Sequence, residues 1–152
     1  MTAGGIVRRS ARALLFDGRG RVVLIRRTRP GREPYWVLPG GGVEPGDADH
    51  RAAVARELVE ELGAVAAIGE QVFLASEAVA GGVLVAHVHL ARLLGMDFDA
   101  RTDDEPTDPS YGKFAPDVVA LHDLPRLDLR PPGLAGWVVA NALALGVDAA
   151  AL

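Results

Sequence analysis

Apolar positions and chain breakers divide the sequence into short strands and two helices. From Val7 to Phe16 the residues tolerate extended backbone and become largely apolar after Arg12; "DGRGR" supplies a turn, and Val22 to Arg26 resumes an apolar run. This pattern predicts a β-hairpin. The breakers and charges of "TRPGREP", residues 28–34, form a loop before the short apolar stretch Tyr35 to Leu38, which Pro39 and three glycines end. From about Ala48 to Leu62 the period changes. Val54, Leu58 and Leu62 recur every four residues with Ala55 and Val59 alongside, which predicts a helix, and Gly63 stands where a left-handed residue ends one. Val72 to Ala75, Val83 to Leu94 and Ala115 to Leu121 read as strands, 95–113 as an exposed loop, and Leu134 to Leu145 as a final helix after a proline pair. Strands, helix, strands, helix, with no βαβ alternation and no repeat of fixed period, predict an α+β domain with helices packed on a mixed sheet.

Composition narrows the chemistry. The 152 residues suit one domain, 1–152, with an ordinary globular balance of 49% hydrophobic and 24% charged residues. A net charge of -4 without a block of like charges makes duplex nucleic acid a poor partner. The absence of cysteine removes thiolate chemistry and disulfides, so any metal must be held by oxygen or imidazole. No run of 18 apolar residues predicts a membrane span, and the apolar stretch after the N-terminal arginines is too short for a signal peptide; a cytoplasmic location is the expectation. Of the 16 basic residues only Lys113 is lysine, a bias that hints at a GC-rich bacterial genome.

The stretch "LPGGGVEPGDADHRAAVARELVEELGA", residues 38–64, carries the densest chemistry. On a helix Glu57, Glu60 and Glu61 fall within an arc of roughly 100°, opposite Val54, Leu58 and Leu62. Like charges four apart, as at Glu57 and Glu61, destabilise a helix, and within it only Arg56 to Glu60 offsets this. A hard divalent cation would compensate further, since Mg²⁺ prefers carboxylate oxygen and keeps positions open for phosphate. Gly40 to Gly42 could then bring backbone close to an ion or phosphate. A solvated acidic helix face after a glycine turn is the plainer reading, and it weakens because glycines, acids and Arg56 occur together.

"GGGVEPGDADHRAAVARELVEELGA" resembles the signature of the Nudix hydrolases: Gly, five residues, Glu, seven residues, Arg-Glu, an aliphatic, any, Glu-Glu, any, Gly, an aliphatic. Arg56 to Ala64 matches at every fixed position except the last, where alanine stands for a larger aliphatic. The front half departs: counted from Gly41, the first acid is Asp47 and eight residues separate it from Arg56, while counting from Gly42 puts Ala48 in the acid's place. The first register is preferred, with Asp47 also a candidate N-cap. The resemblance implies a Nudix-like mixed β-sheet sandwiched between α-helices. It implies hydrolysis of a nucleoside diphosphate linked to another moiety with Mg²⁺ or Mn²⁺. Glu57, Glu60 and Glu61 would be the metal ligands together with the Gly40 carbonyl, and Arg56 would orient them. The base would be a box glutamate or a loop acid such as Asp104 or Glu105.

Arg27, Gly41 and Tyr35 are the candidate substrate-binding residues: an arginine at a strand end near the phosphates, glycine backbone, and an aromatic face for a base. His87 and His89 share a face of a predicted strand, but with no third ligand nearby in sequence their placement is better explained by packing. No serine lies in G-x-S-x-G and the glycines lack a P-loop lysine, so serine-hydrolase and kinase chemistry are disfavoured. The expected partner is a small-molecule nucleoside diphosphate derivative. Sugar nucleotides, oxidised nucleotides and (d)NTPs all remain open. Family members are often dimers, which leaves a homodimer open, and the second function is a module of the same fold that senses a nucleotide without cleaving it.

Overall fold

Strand β1 (Ile6–Phe16) supplies two cores at once, because successive side chains leave a strand on opposite faces. Ala11, Ala13 and Leu15 pack with the buried face of helix α1 (His50–Leu62), formed by Ala53, Val54, Leu58 and Leu62. Leu14 and Phe16 join the opposite core, with Leu121 and Leu124 of a 3₁₀ segment and Leu134 and Val138 of helix α2 (Leu134–Asn141). In β2 (Val22–Thr28), Val23 and Ile25 face α1, while Val22 and Leu24 face α2. The computed structural model describes residues 4–103 and 109–147, and among them the sheet lies between these two helical layers.

The remaining strands are β3 (Tyr35–Val37), β4 (Gly40–Gly42), β5 (Ala64–Val79), β6 (Gly82–Met96), β7 (Lys113–Val119) and β8 (Leu129–Arg130). The order is β5-β6-β1-β2-β3-β8, with β4 also on β1 and β7 on β2. β1 runs parallel to β6 and antiparallel to β2, so the sheet is mixed and the fold is α+β, as the element order predicted. No described helix is long and apolar enough to cross a membrane.

The predicted hairpin and the Gly63 cap are present; Gly63 has φ 60° and its N–H meets the Val59 carbonyl at 3.0 Å. Several expectations need correction. β5 starts immediately after Gly63 and is far longer than Val72 to Ala75, because pairing with β6 extends a stretch whose alanines and glycine carry little strand signal of their own. The glycines do not end a strand but form one, β4, against Ser10, Ala11 and Arg12 of β1. Ala55 and Val59 are exposed and Ala53 takes the core position instead. Finally, α2 stops at Asn141, and α1 begins at His50.

The helix N-cap is Asp49, not Asp47: its side chain accepts the Ala52 N–H at 2.8 Å, whereas Asp47 lies a turn outside and accepts the Glu44 N–H at 2.8 Å. Asp49→Ala is therefore expected to cost about 0.5–2 kcal/mol of stability in a denaturant titration. A change below that range would show that the first turn of α1 is held by packing alone.

Candidate active site

Helix α1 lies against β4 so closely that only glycine fits between them. A Cβ added at Gly41 would stand 2.5 Å from the Glu57 carboxyl carbon, and Gly40 adopts φ 145°, a conformation that side chains rarely tolerate. The next element completes the site. The segment after the 3₁₀ turn Phe98–Ala100 hangs on the end of α1, where the N–H groups of Thr102 and Asp103 donate to the Glu60 carbonyl at 3.0 and 2.8 Å. A carbonyl that has no partner within the helix thus sets the position of Asp103. As a result, carboxylate oxygens of Glu57, Glu61 and Asp103 lie within 4.8 Å of one another.

Arg56 holds the other side of the helix face. Its Nε and Nη2 donate to the two oxygens of Asp47 at 2.9 and 3.0 Å, Nη2 also donates to the Gly42 carbonyl at 2.9 Å, and Nη1 donates to Glu57 and Glu60, both at 3.1 Å. This fork holds the Asp47 carboxyl down at about 2, and the paired carboxylates raise the guanidinium's own pKa.

The inner carboxylates behave in the opposite way. Burial pushes Glu61 up to about 7, against the pull of Arg12 and a backbone hydrogen bond from Gly40, and burial also raises Glu57. Three oxygen donors, close together, partly desolvated and difficult to ionise together, suit a hard divalent cation. A consequence for stability follows. A carboxyl raised in the fold holds a proton that the unfolded chain has lost, so between about 4.5 and 7 the Glu61 contribution to stability falls as pH rises. His87, whose pKa burial lowers, acts with the opposite sign. The expected result therefore concerns a difference: in EDTA the Tm of the protein minus that of Glu61→Gln declines from pH 5 to pH 8, and Mg²⁺ shrinks the decline. A difference that rises with pH would contradict the burial of this carboxyl.

Glu61 and Asp103 open onto a cleft of about 330 Å³ whose other walls carry Arg8, Arg12, Arg27 and Arg101 with Phe98 and Phe114. Arg12 donates to the carbonyls of Leu38 at 3.0 Å and Gly40 at 3.4 Å, and burial lowers its pKa. The Arg27 guanidinium lies 4.4 Å over the Phe114 ring, and its buried Nε has no hydrogen-bond partner among the described residues. Four arginines lining one cleft match an anionic ligand. A larger cavity of about 620 Å³ lies beside the β1–β2 turn; its one lining carboxylate, Asp17, is already bound by Arg21 at 2.7 Å.

Of the residues singled out in the sequence, Gly40, Gly41, Glu61 and Arg27 line the cleft, with Glu57 joining Glu61. Glu60 stands on Arg56, outside the three-carboxylate group. Tyr35 lies off the cleft, its ring 4.0 Å beneath the Arg130 guanidinium. Glu105 and Asp104 fall outside the described residues. Glu57 is only 9% exposed, with Gly41 of β4 against its carboxyl, while Asp103 is exposed. Sequence reasoning missed Asp103, Arg12, Phe98 and Phe114. For Arg12 there was a signal, a lone charge in the otherwise apolar run "ARALLF".

A mixed sheet between two helical layers, with a glycine strand set against an acidic helix, defines a class. The NUDIX domain model matches residues 7–132, and the chain belongs to the Nudix family. It is 36% identical over 78 residues to the CTP pyrophosphohydrolase of Escherichia coli K12, covering 51% of this chain and 56% of that protein. It is 45% identical over 62 residues to an RNA pyrophosphohydrolase of Acidiphilium cryptum, covering 38% and 37%. The chain thus spans between about a third and just over half of the length of these curated relatives. In fold it is similar to the MutT protein from Methanosarcina mazei, with TM-score 0.67 and 22% identity over 95% of this chain and 97% of that one.

Proposed function

We propose that the protein is a divalent-metal-dependent pyrophosphohydrolase acting on a nucleoside diphosphate linked to another moiety. The observation that carries this reading is the meeting of Glu57, Glu61 and Asp103 at one side of a cleft whose other side is arginine. Glu57, Glu61 and Asp103 are the proposed metal ligands together with the Gly40 carbonyl, while Glu60, which the signature also offers, stays on Arg56. Bound Mg²⁺ or Mn²⁺ would supply charge neutralisation at the phosphates and acidify a water.

The chain's own residues do the rest. Arg27 and Arg12, both lining the cleft, bind and orient the diphosphate. Phe98 and Phe114 narrow the cleft and exclude water from it. The attacking water forms a bond to phosphorus as the bridging P–O bond breaks, and its proton passes to a carboxylate. Glu61, which lines the cleft, is the carboxylate placed to take that proton. Arg56 keeps Glu57 and Glu60 oriented throughout.

The names of the relatives select the first substrates to try: CTP, and RNA carrying a 5′-triphosphate. These belong in a panel with dNTPs, nucleotide sugars, ADP-ribose and dinucleoside polyphosphates, with phosphate release followed in Mg²⁺ or EDTA and with added phosphatase or pyrophosphatase. Release from one group, abolished by EDTA, is expected. Silence across the panel alongside tight nucleotide binding would instead make the protein a sensor of the same fold.

A further inference from the structure

We propose that Arg8 is a specificity residue of the cleft that reads a third, terminal phosphate, so that the substrate class is a nucleoside triphosphate or another molecule ending in a triphosphate. This rests on the reading of the cleft as a diphosphate site and adds which diphosphate derivatives it favours. Along β1, Arg8 and Arg12 stand four residues apart, so their side chains leave the strand on one face, and both line the cleft. Arg9 leaves on the other face, where its Nη1 lies 2.8 Å from His87 Nε2. The strand thus delivers two cations to the phosphate path and turns a third away from it.

The glycine strand makes room for Arg8. A Cβ added at Gly42 would stand 2.8 Å from Arg8 Nη2 and 3.2 Å from its Nε, so the guanidinium lies against bare backbone there. Gly41 does the same for the Glu57 carboxyl, and two neighbouring glycines thereby admit the positive and the negative sides of the site. The other arginines of the cleft are already held. Arg12 donates to the Leu38 and Gly40 carbonyls, Arg27 lies over Phe114, and Arg101 donates to the Phe98 carbonyl at 3.1 Å with its guanidinium 4.0 Å over that ring. Arg8 is exposed and makes no hydrogen bond, ion pair or ring contact among the described residues, so a ligand can take its donors without breaking a bond inside the protein.

Charge selects the ligand. A terminal phosphate carries about −1.5 to −2 near pH 7 and one esterified on both sides a single charge, so a triphosphate brings nearly twice the charge of a diphosphate capped at both ends. Four guanidinium groups line the cleft, and the acids Glu57, Glu61 and Asp103 are the ones proposed to hold the metal. A capped diphosphate occupies Arg12 and Arg27 and leaves Arg8 unmatched. A third phosphate beyond those two meets it with charge-assisted hydrogen bonds.

Calorimetric titration in Mg²⁺ tests this with the methylene-bridged analogues of inorganic triphosphate and pyrophosphate, which carry no base and cannot be cleaved. The wild-type protein is expected to prefer the triphosphate analogue, and Arg8→Gln to cut that preference about 10-fold, the worth of a hydrogen bond to a charged group. Arg9→Gln removes the same charge from the other face and is expected to keep the preference. In turnover, Arg8→Gln should lower kcat/KM for a nucleoside triphosphate relative to a nucleotide sugar by a similar factor, mostly through KM. No preference in the wild type, a preference unchanged in Arg8→Gln, or an equal loss in Arg9→Gln would overturn the proposal. An Arg8-dependent preference without cleavage of any substrate would uphold the triphosphate site and remove the hydrolase reading instead.

Discussion

Replacing Glu61 with glutamine is expected to lower turnover about a hundredfold or more while leaving the metal-free protein at least as stable at pH 8. The two effects have one cause. Glu61 is a carboxylate whose ionised form the fold disfavours, as its rise to about 7 records, so its charge is retained at a cost to stability. Glutamine has the same shape without the charge. It can still meet the Gly40 N–H, which now donates to the carboxylate. What it cannot do is contribute a negative oxygen to the group with Glu57 and Asp103, or hold a proton taken from water. The measurement is kcat with the substrate identified by the panel, paired with thermal melts in EDTA. Turnover retained within a few-fold would remove Glu61 from the chemistry; turnover and stability lost together would make it a structural residue.

The second large effect concerns Arg56. Arg56→Ala is expected to destabilise the fold by about 3 kcal/mol, the low end of the range for breaking a buried ion pair, because the guanidinium is 23% exposed. The loss falls on its partners. Asp47 and Glu57, whose side chains are 6% and 12% exposed, would each be left without the cation that now binds them, and the Gly42 carbonyl would lose its donor. In a chain of this size the Tm should drop by about 6–12 °C. Turnover should fall as well, because Glu57 and Glu60 are both oriented by Arg56 Nη1. Arg56→Lys is expected to lie in between: it keeps the charge but cannot form the two-pronged contact with Asp47. A destabilisation under about 0.5 kcal/mol for Arg56→Ala would place the network among surface pairs of little consequence.

What could be read from the sequence was local. The α1 pattern, its Gly63 cap and the β1–β2 hairpin all declare themselves within a dozen residues, through periodicity and turn chemistry. The signature block likewise lies within one helix, so Arg56, Glu57 and Glu61 could be singled out before the structure. What stayed hidden depends on pairing between distant segments. β5 is a strand because β6 pairs with it along its length, not because "AVAAIGEQ" favours extension. Asp103 reaches Glu57 because its N–H finds the free Glu60 carbonyl, a contact that composition cannot foretell in a polar loop. Asp47 and Asp49 are chemically identical and two residues apart, and only the path of the turn decided which would cap the helix and which would bind Arg56. His50 joined His87 and His89 through the docking of α1 on the sheet.

The most direct test of the account is a crystal structure grown with Mn²⁺ and a nucleoside diphosphate analogue whose bridging oxygen is replaced by methylene, with the metal located by anomalous scattering. The account predicts a peak bound by carboxylate oxygens of Glu57, Glu61 and Asp103, with the analogue's phosphates facing Arg12 and Arg27. Metal and phosphates found together in the larger cavity beside the β1–β2 turn, with the three carboxylates unligated, would contradict it.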